Sequence, residues 1–288
     1  MTVRSRTCVF LLSVLTVMPF ATPHLALAQT AATQTAAASG PDPDLQTVPA
    51  EPDFTLSSLP TTLRMPAGKF AFRLTHRFTR PIAAGDAASF FANFFNLDSA
   101  ARVGLELRYG LRPGTQVVVQ RTNDRAIQFF GQHEFVRQSA SRRLSIDAIV
   151  AVEGLDNFSE EFSGSIGAVV SRRFGDGVAI YVEPFFVSNA NVDVVPVTTD
   201  NNSTVIGLGI RLRLGQSRTY VLAEASPRVA GYDVGVNPVS FAIERRAGGH
   251  VFQFNVSNSF ATTLRQIARG GISNSDWYIG FNLTRRFY

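Results

Sequence analysis

The sequence predicts an all-β protein: an antiparallel up-and-down transmembrane β-barrel of about 12 strands, after a cleaved signal peptide and a disordered leader. Three observations predict it. Apolar and polar residues alternate with a period of two through nearly every segment after residue 63. The connections between those segments are alternately short and long. The mean hydropathy of +0.08 is high for a soluble chain, yet no apolar run after residue 28 approaches the roughly 20 residues that a membrane helix needs. In lipid every backbone amide must be paired, so a chain without membrane helices spans only as a closed barrel.

The first element is an address. Arg4 and Arg6 form a positive start, residues 10–18 a short apolar stretch, and Ala26-Leu27-Ala28 a small-x-small cleavage site, which together read as a signal peptide over 1–28. The single cysteine, Cys8, lies before the apolar stretch, where no lipid-attachment cysteine belongs. The mature chain of 260 residues therefore has no thiol for catalysis, disulfides or metal. Residues 29–62 are rich in Ala, Thr, Ser and Gln and carry Pro41, Pro43, Pro49, Pro52 and Pro60. So little apolar surface does not offset the entropy of ordering, which predicts a flexible periplasmic leader; a tether or plug is the alternative.

The barrel is expected over 63–288. In the first strand, 70–78, Phe70, Phe72, Leu74, His76 and Phe78 share one face, and Ala71, Arg73, Thr75 and Arg77 the other. The same alternation predicts strands over 102–109, 115–122, 125–137, 144–154, 162–174, 178–188, 203–214, 219–226, 239–246, 250–258 and 276–288. Pro184 lies inside one of them and predicts a bulge there. Short turns at 111–114, 138–143, 175–177, 215–218 and 247–249 alternate with long loops at 81–101, 155–161, 189–202, 227–238 and 259–275; only Asn123-Asp124 breaks the rule. Short turns at one end and long loops at the other, with both termini on the short-turn side, are the layout of a bacterial outer-membrane barrel. A soluble periplasmic β-protein is the alternative, but its strands would usually run to five or six residues.

The two faces assign the candidate functional residues. Tyr109, Phe135, Phe174 and Phe287 end outward rows at the short-turn side and form an aromatic girdle. The inward face carries nine arginines and seven carboxylates, and its lumen-lining set is Arg73, Arg77, Arg102, Glu106, Arg108, Glu134, Asp147, Glu183, Arg211, Arg213, Glu224 and Glu244. These charges are expected to pair with one another across a narrow lumen. In the first long loop Asp86 is placed to cap a short helix running to Leu97 that carries Phe90, Phe91, Phe94 and Phe95. A smaller helix within 259–268, with Leu264 and Ile267, is expected on the barrel rim.

A resemblance follows from the first third of the barrel. Met65-Pro66-Ala67-Gly68, the strand Phe72-Arg73-Leu74-Thr75-His76-Arg77-Phe78, Phe95-Asn96-Leu97-Asp98, residues 102–111 and Glu134-Phe135-Val136-Arg137-Gln138 resemble the bacterial β-barrel proteins of domain-of-unknown-function family 5777. The resemblance implies an exported membrane barrel and no particular activity. The chain end is similar to outer-membrane strands that finish on an aromatic residue, which implies that Phe287 and Tyr288 are read by the barrel-assembly machinery.

The functional expectation is an outer-membrane barrel acting as a narrow passive channel for small solutes; the alternative is a closed structural or partner-binding barrel without a pore. Outer-membrane lipid, the assembly machinery and a solute or periplasmic partner are the expected partners. Nucleic acid is not, because 27 basic and 22 acidic residues are interspersed without a basic block. A membrane hydrolase would need a nucleophile beside its base, but His76, His133 and His250 are followed on their own faces by Phe78, Phe135 and Phe252, so no enzyme is expected. No catalytic, cofactor-binding or metal-ligating residue is assigned.

Overall fold

In each strand the residues that alternate in sequence alternate in burial, and this sets the architecture. The computed structural model describes residues 42–95, 97–191 and 201–288, without the side chains at 87 and 90. The predicted signal peptide over 1–28 and the first part of the leader, 29–41, lie outside the described residues. The strands are β1 (Phe70–Phe78), β2 (Ala101–Arg112), β3 (Thr115–Thr122), β4 (Ile127–Val136), β5 (Ser145–Leu155), β6 (Glu160–Phe174), β7 (Val178–Val187), β8 (Ser203–Arg213), β9 (Thr219–Ala225), β10 (Arg228–Gly231), β11 (Val239–Ala247), β12 (His250–Ser257) and β13 (Tyr278–Arg286). Two short helices, α1 (Ala87–Ala92) and α2 (Leu264–Arg269), lie in the first and last long loops.

All neighbouring strands are antiparallel and form one sheet that closes on itself. Pairing of β1 with β13 joins the two ends of the strand sequence, and pairing of β8 with β9 completes the ring. Both β9 and β10 lie along β8 as the two halves of one barrel strand. The break falls at Pro227, which has no amide to donate, while its carbonyl still accepts from the Ile206 amide at 3.0 Å. The closed antiparallel barrel thus has twelve strand positions, as the alternation predicts.

Pro184 does not make the expected bulge. It keeps register with Ile206 on β8, while the β6 ladder skips two residue pairs between Gly167–Phe185 and Val170–Val182 without shifting. An unpaired interval absorbs the missing donor more cheaply than an inserted residue. True register shifts occur instead in β2, β4 and β5, next to Gly110, Glu134 and Glu153.

The outward rows are apolar and exposed, with Leu107, Val150 and Ile166 more than half accessible. The inward rows are buried and largely polar, among them Arg73, Thr75, Arg77, Gln116, Gln132, Arg211 and Asn282, with an apolar cluster that includes Val118, Phe130, Ile149 and Val205. This inversion of a soluble core suits a barrel in lipid, where the outer face needs apolar surface.

Two inserts bury the inward face. From the short-turn side, residues 42–69 run up the lumen before entering β1. Their 54–61 stretch is a narrow hairpin, bridged at Thr55 and Pro60 and turned by a Leu56 amide to Leu59 carbonyl bond of 2.7 Å. From the long-loop side, residues 258–269 descend with α2, whose Leu264, Arg265, Ile267 and Ala268 are all buried. The inserts meet where Ser58 Oγ donates to the Ala261 carbonyl at 2.8 Å.

Two expectations are corrected here. Over 42–62 the leader is not a flexible linker: Leu56 and Leu59 are fully inaccessible and Phe54 nearly so. The compositional argument weighs ordering entropy against apolar burial alone, whereas this segment is held largely by hydrogen bonds to charged groups, each contributing about 1.5–3 kcal/mol. The 264–269 helix lies inside the barrel mouth rather than on its rim, because Leu264 and Ile267 pack into the same cluster as Leu56 and Leu59.

Candidate functional site

The lumen is the candidate site, and the leader hairpin is at its centre. The barrel strands present charges to the hairpin's main chain. Arg73 Nη2 donates to the Ser57 carbonyl at 2.7 Å, joined by Arg77 Nη2 at 3.3 Å and Asn282 Nδ2 at 3.1 Å. On the opposite side of the tip, Glu224 Oε2 accepts from the amides of Ser57, Ser58 and Leu59 at 3.0, 3.0 and 3.2 Å. Its other oxygen accepts from Ser240 Oγ at 2.9 Å. The turn exposes three amides on one side and a carbonyl on the other, and the barrel matches each with the opposite charge.

The contacts continue along the leader. Arg211 Nη2 donates to the Thr55 carbonyl at 2.7 Å and pairs with Glu244 at 3.1 Å, all three groups being buried. Gln253 bridges the Leu56 carbonyl at 3.1 Å and Glu244 at 3.0 Å. Tyr181 Oη donates to Glu51 at 2.9 Å, Thr284 to Asp53 at 2.8 Å, and Arg286 to the Pro52 carbonyl. Below the hairpin Arg64 reaches Asp147 and Glu134 at 2.8 Å each, and Asp44 at 3.5 Å. The Arg108 guanidinium lies 5.1 Å over the Phe54 ring and pairs with Glu106 at 2.8 Å.

Of the predicted lumen-lining residues, Arg73, Arg77, Glu106, Arg108, Asp147, Arg211, Glu224 and Glu244 are buried around the leader. Glu134 is half-buried beside Arg64 and Arg137. Glu183 is fully buried against Leu59 and Gly207, with neither carboxylate oxygen hydrogen-bonded among the described residues. Two depart from expectation. Arg102 is exposed at the long-loop mouth, where it pairs with Asp124 at 3.1 Å, because it stands at the start of β2 beyond the ring of inserts. Arg213 sits at the short-turn mouth and bonds the carbonyls of Ser217 and Gln216. In place of pairing across an open lumen, Arg73, Arg77, Arg211 and Glu224 bind leader backbone, while Glu106 pairs with Arg108 and Glu244 with Arg211.

Sequence reasoning missed the leader's own contributions, Glu51, Asp53 and Arg64. It also missed two glycines that make room for the leader. A Cβ at Gly207 would stand 2.9 Å from Leu59 Cδ2, and one at Gly209 would collide with Leu56 Cδ1. The available signal was the alternation Gly207-Leu208-Gly209 in β8, an inward row with no side chains that must be filled from elsewhere.

Outside the lumen, Tyr109, Phe135, Phe174 and Phe287 are exposed near the short-turn ends of their strands. Phe287 stacks on Phe70 with ring centres 4.5 Å apart, and Tyr288 lines the short-turn mouth. Asp86 caps α1 by accepting from the Ser89 amide at 2.8 Å, which holds its carboxyl below the usual range. The helix stops at Ala92 rather than Leu97, since Phe94 and Phe95 take positive φ. Phe91, Phe94 and Phe95 are exposed and touch one another; the Phe90 side chain lies outside the described residues. His133 Nδ1 lies 2.8 Å from Thr115 Oγ1, His250 contacts Arg285, and His76 stacks on Phe281.

A closed antiparallel ring with an apolar exterior and a charged, filled interior defines a membrane β-barrel protein. The chain belongs to the family described as membrane bound beta barrel domain (DUF5777), which matches residues 53–287 and so includes the leader hairpin. No curated protein matches the sequence. Among solved structures, an outer membrane channel from Pseudomonas putida F1 is similar at 11% identity and a TM-score of 0.50, covering 78% of this chain and 97% of that one. The KdgM porin in complex with disordered oligogalacturonate is similar at 10% identity and a TM-score of 0.48 over 76% and 99% of the two chains. Outer membrane phospholipase A from Escherichia coli follows at 12% and 0.40 over 76% and 90%. At these identities the likeness to the Pseudomonas putida channel is one of fold.

Proposed function

We propose that this protein is an outer-membrane channel for small solutes whose lumen is shut by its own leader and by the α2 loop. One observation carries the reading. The inward wall carries many buried charged and amide side chains beside an apolar cluster, and the leader that fills it is held by hydrogen bonds to Arg73, Arg211 and Glu224 as well as by the packing of Leu56 and Leu59. A segment attached to the barrel at one end only can withdraw without breaking the ring of strands. Withdrawal of the leader together with the α2 loop would leave a wet conduit lined by Arg73, Arg77, Arg108, Arg211, Glu106 and Glu224. Cavities of about 360 and 520 Å³ already open at the long-loop and short-turn mouths. The protein is read as a passive conduit, not an enzyme. Export by the signal peptide over 1–28, insertion by assembly machinery reading Phe287 and Tyr288, and lipid around the Tyr109, Phe135, Phe174 and Phe287 girdle complete the reading.

Planar-bilayer recording tests it. The full chain is expected to give rare, brief current steps, and a variant lacking residues 42–65 and with 259–269 replaced by a short flexible linker sustained ones. Heat-modifiable gel mobility reports that the variant is folded. A folded deletion variant that passes no current would replace the channel with a closed structural barrel.

A further inference from the structure

At the short-turn end, one arc of the lumen wall ends in arginine. Arg213 stands two residues beyond Arg211 on β8 and faces Tyr220 across the ladder, which in turn faces Glu244 on β11. Arg246 follows Glu244 by two residues on the inward row, and Arg286 follows Thr284 by two on β13. Arg246 and Thr284 are both in register with Val251 of the intervening β12. Arg218 joins them from the turn between β8 and β9. Period-two geometry therefore gathers three inward row-ends and one turn residue on the same side of the mouth.

They line the 520 Å³ cavity together with Tyr220, Tyr288 and the 248–249 turn on the barrel side, and with the seated leader, from Asp44 to Thr47 with Pro49 and Leu63, on the other. Asp44 is the one acidic side chain there, and it is already engaged by Arg64, Arg137 and the Gly114 amide. Arg213 and Arg286 spend donors on carbonyl oxygens. The side chains of Arg218 and Arg246 make no hydrogen bond or ion pair among the described residues. Four guanidinium groups around a concave, partly enclosed space repel one another and focus a positive potential into it. Guanidinium forks match the paired oxygens of phosphate and carboxylate, and the volume is that of a small-molecule site.

We propose that this vestibule binds a small multivalent oxyanion, a molecule carrying two or more phosphate or carboxylate groups. The site stands on the leader being seated, not on whether the barrel conducts. Because the leader supplies part of its wall, a bound anion favours the seated state by mass action.

Titration calorimetry of the full chain folded in lipid-free detergent, with inorganic tripolyphosphate as probe, tests the proposal. One saturable site per barrel is expected. Arg218→Gln with Arg246→Gln should weaken it at least tenfold. Arg142→Gln with Arg143→Gln, in another turn at the same end and outside the cavity, should change it less than twofold. Orthophosphate should bind at least tenfold more weakly than tripolyphosphate. Citrate binding comparable to tripolyphosphate would assign the site to oxyanions generally, as proposed. Absence of saturable binding, or equal loss in both arginine pairs, would overturn it. Should the double variant fail to fold by gel mobility, Arg218→Gln alone, in an exposed turn, is expected to weaken binding about threefold, and an unchanged affinity would count against the site.

Discussion

Residues 42–65 and residues 81–100 are both irregular, but they meet opposite environments. The leader is poor in large apolar residues and rich in proline, yet nearly every residue from 50 to 66 is buried. The first loop holds a cluster of phenylalanines, and those at 91, 94 and 95 stand exposed with one another as ring partners. In a soluble protein the reverse would be expected, because there is one solvent and one core. A membrane barrel has two interiors of opposite character. The lumen selects for hydrogen-bonding capacity, which a proline-containing extended backbone has in abundance because its carbonyls are not used within regular structure. A ring seated there meets charge as well as apolar neighbours, as Phe54 does beneath Arg108 and Arg286.

The comparison breaks most sharply at Arg64. Replacing it by Ala leaves Asp147 buried without its cation, which should cost the seated leader about 3–5 kcal/mol. Protease protection of residues 42–65 in urea would measure it, and protection equal to wild type would show that the leader is not held by charge. Glu224→Ala comes next. It removes the acceptor of three amides at the hairpin tip, with an expected loss of about 2–3 kcal/mol and more frequent current steps in planar bilayers. Gly209→Ala adds a methyl group where Leu56 sits, and the overpacking should cost about 1–3 kcal/mol in the same protease assay while leaving gel mobility folded. Phe91→Ser should be smallest. Leader protection should stay within about 0.5 kcal/mol of wild type, because Phe91 is an exposed residue of the first long loop. A larger change would couple the two regions and undo the contrast.

The barrel itself was legible because lipid and lumen impose alternation on every strand, so Phe70 to Phe78 already declares both faces. Loop-length asymmetry gave the ends, and the closing pair of strands followed from chain order. The leader's fate was not legible, since its partners lie in strands far along the chain and each contact is a carbonyl or amide rather than a recognisable side chain. Ser57 illustrates this: nothing about a serine in a Ser-Ser pair predicts that its amide and carbonyl will be gripped by Glu224 and Arg73. The inward glutamines and asparagines, Gln116, Gln132, Gln253 and Asn282, were passed over because charge was the property sought. Yet Gln132 bonds both the Thr61 carbonyl and Asp147 at 2.8 and 2.7 Å, and so joins the leader to the barrel wall.

The leader's longest-range bonds bear on how the molecule is made. Asp53 and Ser57 bond Thr284 and Asn282 across 231 and 225 positions of chain, onto the strand that is synthesised last. Until β13 has docked on β1, the hairpin tip lacks the Asn282 donor and Asp53 lacks Thr284. A fully seated leader therefore presupposes a closed ring, because the Ser57 carbonyl takes bonds from Arg73 and Arg77 on β1 and from Asn282 on β13 at once. The hairpin spans the seam from inside the barrel and ties the first strand to the last without being part of the sheet.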